Sequence, residues 1–341
     1  MRVLLDEGRS HSSIPAGPQR RTGAASPRVR ASGAEALDIG LVNNMPDAAL
    51  EQTERQFIGL LKAAAGERRI HVKLFYIPEI ARAGAARERV ELHYAPIEEL
   101  WQSRLDGLIV TGNEPRTPDL RAEPYWRTLA KLVDWAETST RSTIWSCLAA
   151  HAAVLHTDGI RRHPLGEKCF GVFTSVARAE HPIMRGLPAR VAFPHSRWNE
   201  LREADLRAAG YSILMRSDEA GVDIFARQGN SLFVFFHGHP EYAARTLMGE
   251  YRRDVRRFLR GEREIYPSLP RDYFDERTAR RLSEFRVRAL ADRREALIET
   301  FPRCSEETLH ARWRPPAERL MANWLEQLRV RTSPPALAAA K

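Results

Sequence analysis

Cysteine is scarce in this chain: Cys147, Cys169 and Cys304 are the only ones in 341 residues. An odd, widely spaced set argues against a disulfide scaffold and for a reducing compartment, hence the cytoplasm. Also missing is any run of about 18 apolar residues, so no membrane-spanning helix is expected. Residues 1–30 are rich in Arg, Ser, Ala, Gly and Pro and lack the continuous apolar segment of a secretory signal. Their Arg-rich, acid-poor character faintly resembles an organelle transit peptide, but a disordered leader over residues 1–34 is the plainer reading. Internal repeats are lacking as well.

What is present suits a folded protein with a well-buried core: 43% of residues are hydrophobic and 28% charged. The formal net charge of +9 raises the question of nucleic acid. Arginine is spread along the chain, however, and its densest stretch, "RTARRLSEFRVRALADRREALIE" at 277–299, has acidic residues interleaved. That pattern describes a solvated helical face better than a phosphate-binding stripe. An anionic small substrate such as a coenzyme accounts for part of the positive balance equally well.

From residue 36 the texture changes to short apolar runs separated by amphipathic segments. "LDIGLV", "IHVKLFYI", "DGLIVTG" and "STIWSC" read as buried strands, being brief, β-branched or aromatic, and bounded by turn formers. Between them, "LEQTERQFIGLLKAAAG" and "PYWRTLAKLVDWAETS" carry apolar residues at helical spacing, with Gly66 as a stop for the first. Alternating strand and helix imply an α/β three-layer sandwich with a mostly parallel sheet, whose ligands sit at the carboxyl ends of the strands. Further on, "GVFTSVAR", "ARVAFPHSR" and "YSILMRSD" are candidate strands. "VDIFARQGNSLFVFF" reads as a hairpin turning at Gly229-Asn230, and "RTLMGEYRRDVRRFLRGE" as a helix ending near Gly261. The expected organisation is a leader over 1–34, a main domain over 35–265, a helical C-terminal extension over 266–328 that packs on it, and a disordered tail over 329–341.

Chemistry is suggested where "TIWSC" runs into "LAAHAAVL". A cysteine on a sharp strand-to-helix turn is exposed at the sheet's edge, where helix N–H groups and the helix dipole favour a thiolate and can also hold an oxyanion. A buried, inert thiol is the plain alternative for Cys147. A nucleophilic thiol needs a base within reach and a group to orient that base. "FFHGHPEY" offers His237 or His239, and Glu241 two residues after His239 would leave an extended segment on the same side. Spacing alone does not choose between the histidines. No third ligand stands at a spacing that would suggest a metal.

Taken together, "LVNNMPDAALEQTERQ", "LDGLIVTG", "YWRTLAKLVDWAETSTRSTIWSCLAAHAAVL", "GEKCFGVF", "FPHSRW" and "HGHPEYAARTLMGEYRRDV" resemble the homoserine O-succinyltransferase family, in the right order over about 37–255. A weaker echo follows in "RLMANWLEQL". The resemblance implies a class I glutamine amidotransferase-like (flavodoxin-like) fold and a ping-pong acyl transfer. Cys147 would be the acyl-accepting nucleophile, His239 the base and Glu241 its orienting partner. Lys168, Ser196 and Arg253 would bind substrate, with Arg253 suited to the carboxylate of L-homoserine. Backbone amides of Leu148 and of the Gly112-Asn113 turn would form the oxyanion hole, each donor contributing roughly 3 to 4 kcal/mol. No cofactor is implied beyond acyl-CoA as co-substrate, and a homodimer is implied by the family's habit.

Departures from the family pattern lie near the substrates. Where the family has a lysine-bearing "NxMPxK" stretch, Met45-Pro46 is followed here by Asp47, Ala48 and Ala49, so a positive charge is missing. The family position that selects succinyl or acetyl donors falls on Arg116, with Glu114 nearby; an arginine there either pairs with the free carboxylate of a succinyl group, favouring succinyl-CoA over acetyl-CoA, or is an outward loop charge. These departures leave room for a divergent member acting on another amino alcohol or amine. A glutamine-hydrolysing amidotransferase would carry glycines around its nucleophile, as in G-x-C-x-G, where this chain has Trp145 and Ala149. A non-catalytic protein binding an acidic partner through its basic C-terminal helices is the reading from a different class.

Overall fold

The computed structural model describes residues 3–5 and 36–329. Its strands are β1 Val3–Leu5, β2 Leu37–Val42, β3 Ile70–Tyr76, β4 Ala95–Pro96, β5 Gly107–Val110, β6 Ser142–Ser146, β7 His163–Ala177, β8 Arg190–Glu200, β9 Ser212–Ser217, β10 Gly221–Gln228 and β11 Leu232–Phe236. Its helices are α1 Asp47–Ala64, α2 Gly84–His93, α3 Ile97–Leu100, α4 Trp126–Ser139, α5 Leu148–Asp158, α6 Glu203–Ala208, α7 Thr246–Leu259, α8 Glu276–Ala291 and α9 Arg314–Gln327.

All the strands join one sheet in the order β1-β3-β2-β5-β6-β11-β10-β9-β7-β8, with β4 beside β3. Pairing is parallel from β1 through to β11 and antiparallel from there to β8. Every residue of β5, β6 and β11 is buried, as expected for strands covered on both faces. The two faces feed separate cores. Ile109 belongs to a cluster with residues of α1, α7, α8 and α9. Its neighbours Leu108 and Val110 belong to a second cluster with residues of α4 and α5. This alternation along β5 makes the three layers.

From β2 the chain crosses out to β3 and then returns to β5 on the other side of β2. Such a reversal opens a crevice at the carboxyl ends of the strands. Asn44, Thr111, Gly112, Asn113, Leu148 and Trp126 line a cleft there.

The expected leader needs one correction: Val3–Leu5 is a strand, pairing with Ile70, His71 and Val72 of β3. Residues 6–35 and the tail from 330 onward lie outside the described residues. The C-terminal extension shares a core with the sheet. Trp313, Trp324 and Leu328 are in one cluster with Ile39 and Ile109, and Trp324 Nε1 donates to Ser142 Oγ on β6 at 2.9 Å. On α8 the arginines of the 277–299 stretch flank a narrow buried seam of Thr278, Leu282, Phe285 and Ala289.

Because Trp324 is buried between α9 and the central strands, Trp324→Ala should destabilise the entire domain by about 3–5 kcal/mol. Urea unfolding should remain a single transition at a lower midpoint. A separate early transition with an unchanged main one would show that the extension folds independently.

Candidate active site

Strand β6 ends at Ser146 and helix α5 begins at Leu148, leaving Cys147 alone to make the turn. It does so at φ 52° and ψ −114°, a region that costs a residue with a side chain on the order of 1–3 kcal/mol. Several bonds hold it there. The Cys147 N–H donates to the Phe236 carbonyl at 2.7 Å, and the Cys147 carbonyl accepts from the Ala150 amide at 3.0 Å. The amides of Leu148 and Ala149, in the first turn of α5, have no acceptor within the helix.

Gly112 lies against this turn. A Cβ on it would stand 2.6 Å from Leu148 Cβ and 2.9 Å from Leu148 N, so only glycine lets the β5 loop approach the first amide of α5. Leu148 and the Gly112-Asn113 turn are therefore brought together as the sequence suggested. Asn113 turns its own side chain back, its Oδ1 accepting from the Glu114 amide at 2.8 Å.

The two histidines differ in their partners. His239 Nδ1 lies 2.8 Å from Glu241 Oε1, and both side chains are buried. The pairing does not come from an extended segment, as the spacing implied, but from a tight turn closed by Tyr242 N–H donating to the His239 carbonyl at 3.1 Å. Burial opposes charge on this imidazole, but the Glu241 carboxylate and the neighbouring Cys147 thiol outweigh it and hold its pKa well above 6.5. His237 instead donates from Nδ1 to the Val222 carbonyl at 2.8 Å. Burial, reinforced by the charge of Arg197, pushes its pKa down to about 3. It stays neutral inside the protein, packed on His151 of α5 with ring centroids 4.9 Å apart. Cys169 is unsuited to nucleophilic work, since burial pushes its thiol up to about 11.

Tyr242 was not singled out from the sequence. Its ring stacks on His239 with centroids 4.2 Å apart, and its hydroxyl donates to Glu250 Oε1 on α7 at 2.6 Å. Burial and the nearby carboxylates of Glu250 and Glu241 raise its pKa, so it remains a donor. Glu250 and Asp254, one turn apart on α7, collect the expected binding residues. Ser196 Oγ donates to Glu250 Oε2, and Lys168 Nζ lies 3.2 Å from Asp254 Oδ2 and 3.8 Å from Glu250 Oε2. Arg253 donates to Asp254 Oδ1 at 3.2 Å. Lys168, Ser196 and Arg253 thus form one cluster, joined to His239 through Tyr242. The signal for Glu250 and Asp254 was their i, i+4 spacing on a helix that also carries Arg253.

Arg116 and Glu114 are exposed on the loop after β5. The buried carboxylate of Glu123 pins that loop, accepting from the amides of Arg116 at 2.6 Å and Thr117 at 2.7 Å. Glu114 approaches Arg257 of α7 at 3.9 Å. At the turn after Met45, Arg82 donates to the carbonyls of Met45 and Asn43 and faces Asp47 at 3.3 Å. Among the described residues no group of three or more His, Cys, Asp or Glu is placed to hold a metal ion, and no helix is long and apolar enough to cross a membrane.

Fold and site define a class: α/β proteins with a cysteine elbow and a carboxylate-backed imidazole at the carboxyl edge of a parallel sheet. A family model described as homoserine O-succinyltransferase matches residues 22–334, and the chain belongs to that family. It is 52% identical over 273 residues to a homoserine O-succinyltransferase of Rhodopseudomonas palustris, covering 80% of this chain and 82% of that one. It is 48% identical over 306 residues to the one of Bradyrhizobium japonicum, covering 89% and 91%. Among solved structures it is similar to a glutamine amidotransferase from Methylobacillus flagellatus, with TM-score 0.49 and 14% identity over 86% of this chain and 96% of that one.

The raised pKa of His239 has a consequence for stability. A folded-state pKa above the unfolded value of 6.5 gives stabilisation that is complete below about pH 6.5 and is lost as pH rises through the raised value. Glu241→Gln removes the main charge holding that proton, so its stability should fall less between about pH 6.5 and 9 than that of the unaltered protein. Urea midpoints across that range check this. Parallel curves would mean Glu241 does not hold the charge.

Proposed function

We propose that this protein transfers a succinyl group from succinyl-CoA to the hydroxyl of L-homoserine through an acyl-cysteine, a step of methionine biosynthesis. The observation carrying the reading is the strained Cys147 elbow beside a His239 backed by Glu241 at 2.8 Å. An imidazolium next to a thiol stabilises the thiolate, which is the reactive form. Cys147 Sγ attacks the thioester carbonyl, and the oxyanion that forms is held by the Leu148 amide and an amide of the Gly112-Asn113 turn. Collapse breaks the carbon–sulfur bond to the coenzyme, whose thiolate takes the proton from His239 and leaves as free coenzyme A. His239, now neutral, removes the proton of the incoming hydroxyl as it attacks the acyl-cysteine. The second collapse returns the Cys147 thiolate and releases the ester.

The cluster on α7 suits the acceptor. Arg253 presents a planar fork to a carboxylate, and Glu250 supplies an anion for an ammonium. Such a pair of opposite charges fits a zwitterionic amino acid. For the donor, Arg116 stands on the pinned loop beside the oxyanion turn, where a cation would favour a dicarboxylic acyl group over acetyl. The names of the related proteins point the same way. Three free cysteines accord with the cytoplasm, a reducing compartment.

Intact-protein mass spectrometry after brief exposure to succinyl-CoA or acetyl-CoA, followed by a chase with L-homoserine, tests this. The succinyl adduct should dominate, be absent in Cys147→Ala, and be discharged by homoserine. An acetyl adduct alone would reassign the donor, and an adduct that homoserine leaves in place would reassign the acceptor. Arg253→Ala should raise the half-saturating homoserine concentration by roughly 10-fold or more, since a charged hydrogen bond contributes about 1.5–3 kcal/mol, with adduct formation little changed. An unaltered homoserine dependence would remove Arg253 from that role.

A further inference from the structure

Beyond Phe236 the chain leaves β11 and passes through His237, Gly238 and His239. These consecutive amides find acceptors on the antiparallel side of the sheet. His237 N–H donates to the Asp223 carbonyl at 2.8 Å, Gly238 N–H to Asp223 Oδ1 at 3.2 Å, and His239 N–H to the Pro194 carbonyl at 2.7 Å. Asp223 therefore holds the two residues that lead into the base.

Its placement is unusual for a strand residue. On β9, Arg216 pairs with Val222 and the next residue, Met215, pairs with Ile224, so Asp223 is the extra residue of a β-bulge in β10. Bulges re-aim a side chain out of strict alternation and are common beside active sites. Here the carboxylate is 1% exposed. Besides the Gly238 amide it accepts from Ser175 Oγ at 2.6 Å, and His195 Nε2 lies 3.4 Å from its Oδ1. Burial pushes its pKa up, but His195 and Ser175 pull it further down, so the group remains an anion.

The main chain passes directly over this pair. A Cβ on Gly238 would stand 2.7 Å from Asp223 Oδ1 and 3.0 Å from His195 Nε2. No other residue type fits without displacing the carboxylate or the ring. His195 in turn is next to Pro194, whose carbonyl holds the His239 amide.

We propose that Asp223, backed by Ser175 and His195, is a positioning residue for the base: it fixes the backbone from which the His239 imidazole hangs, while Glu241 fixes the ring. This rests on the reading of Cys147 and His239 as the catalytic pair. Nothing in the bond-making requires Asp223 to touch substrate, so its loss should be felt in rate rather than in substrate binding.

Asp223→Ala and Asp223→Asn separate the possibilities, because asparagine keeps an oxygen for the Gly238 amide and alanine does not. For acyl-enzyme formation from succinyl-CoA, Asp223→Ala should lower the maximal rate by roughly 10-fold or more, as displaced catalytic groups do. The half-saturating donor concentration should stay within about twofold, and Asp223→Asn should recover most of the rate. The rate of iodoacetamide alkylation of Cys147, which needs no substrate, should fall in Asp223→Ala and be kept in Asp223→Asn across the pH profile. A wild-type rate in the alanine variant, a loss confined to the half-saturating concentration, or equal losses in both variants would overturn the proposal. Should Asp223→Ala not fold, Ser175→Ala, which strips one donor from the carboxylate, should still slow acylation, and an unchanged rate would overturn it too. If the unaltered protein forms no adduct with either donor, it is the acyltransfer reading that fails, and the alkylation profile still decides whether Asp223 positions His239.

Discussion

The left-handed backbone of Cys147 is the constraint on which the site depends, because it is maintained only by what three neighbouring parallel strands do together. Val110 of β5, Trp145 of β6 and Phe235 of β11 are level with one another in the sheet. Two residues further along each strand come Gly112, Cys147 and His237. Cys147, the Gly112-Asn113 loop and the segment that leads into His239 therefore leave the sheet at one height. The bond from the Cys147 amide to the Phe236 carbonyl extends the β6–β11 ladder by one step into the elbow. Gly112 is the matching concession on the other side, since a side chain there would push the first amide of α5 away.

The same register explains the division of labour between the histidines. His237 is level with Cys147, but strand alternation keeps it on the face of Phe235, inside the layer under α5, where it packs on His151 and is neutral. His239 comes two residues later, after the ladder has ended, where its amide donates to the Pro194 carbonyl and the Tyr242 turn folds Glu241 back onto its ring. Buried ions are costly unless paired, and here the pairs are connected: His239 with Glu241, then through the Tyr242 ring and hydroxyl to Glu250, Ser196, Lys168, Asp254 and Arg253. His239 and the α7 cluster form one continuous network of contacts.

Much of this was legible in the sequence wherever a local pattern decides the structure. The buried runs of β2, β5, β6 and β11 are continuous and β-branched, so their strands stood out, as did the Gly229-Asn230 hairpin. Cys147 stood out as a candidate because a strand-to-helix joint is local, and Glu241 because of its H-x-E spacing, whereas the choice of His239 over His237 came from the family resemblance and not from spacing. What escaped depended on tertiary surroundings. Helix α2 buries only Val90, too thin a stripe to show periodicity, and β1 is three residues long within a polar stretch. Glu250 is marked in the sequence only by its i, i+4 spacing to Asp254, and Tyr242 looks like an ordinary turn residue until the fold places both between His239 and three expected binding residues. Asp223 is least visible of all, since a bulge has no signature in composition.

The stretch after β2 also has surroundings that a local reading does not show. Beside the family pattern, Asp47, Ala48 and Ala49 lack a cation, which suggested a substrate site altered in charge. In the folded chain the guanidinium of Arg82, arriving from the β3–α2 connection with its side chain 6% exposed, bonds the carbonyls of Asn43 and Met45 and pairs with Asp47. The group that bonds this turn comes from a residue 37 positions away from Met45. Because it grips backbone carbonyls rather than pointing outward as a flexible lysine could, it fixes the turn that places Asn44 in the cleft lining. The turn that departs from the family pattern is thus held by Arg82, and it lies on the wall of the cleft where β2, β5 and α5 meet.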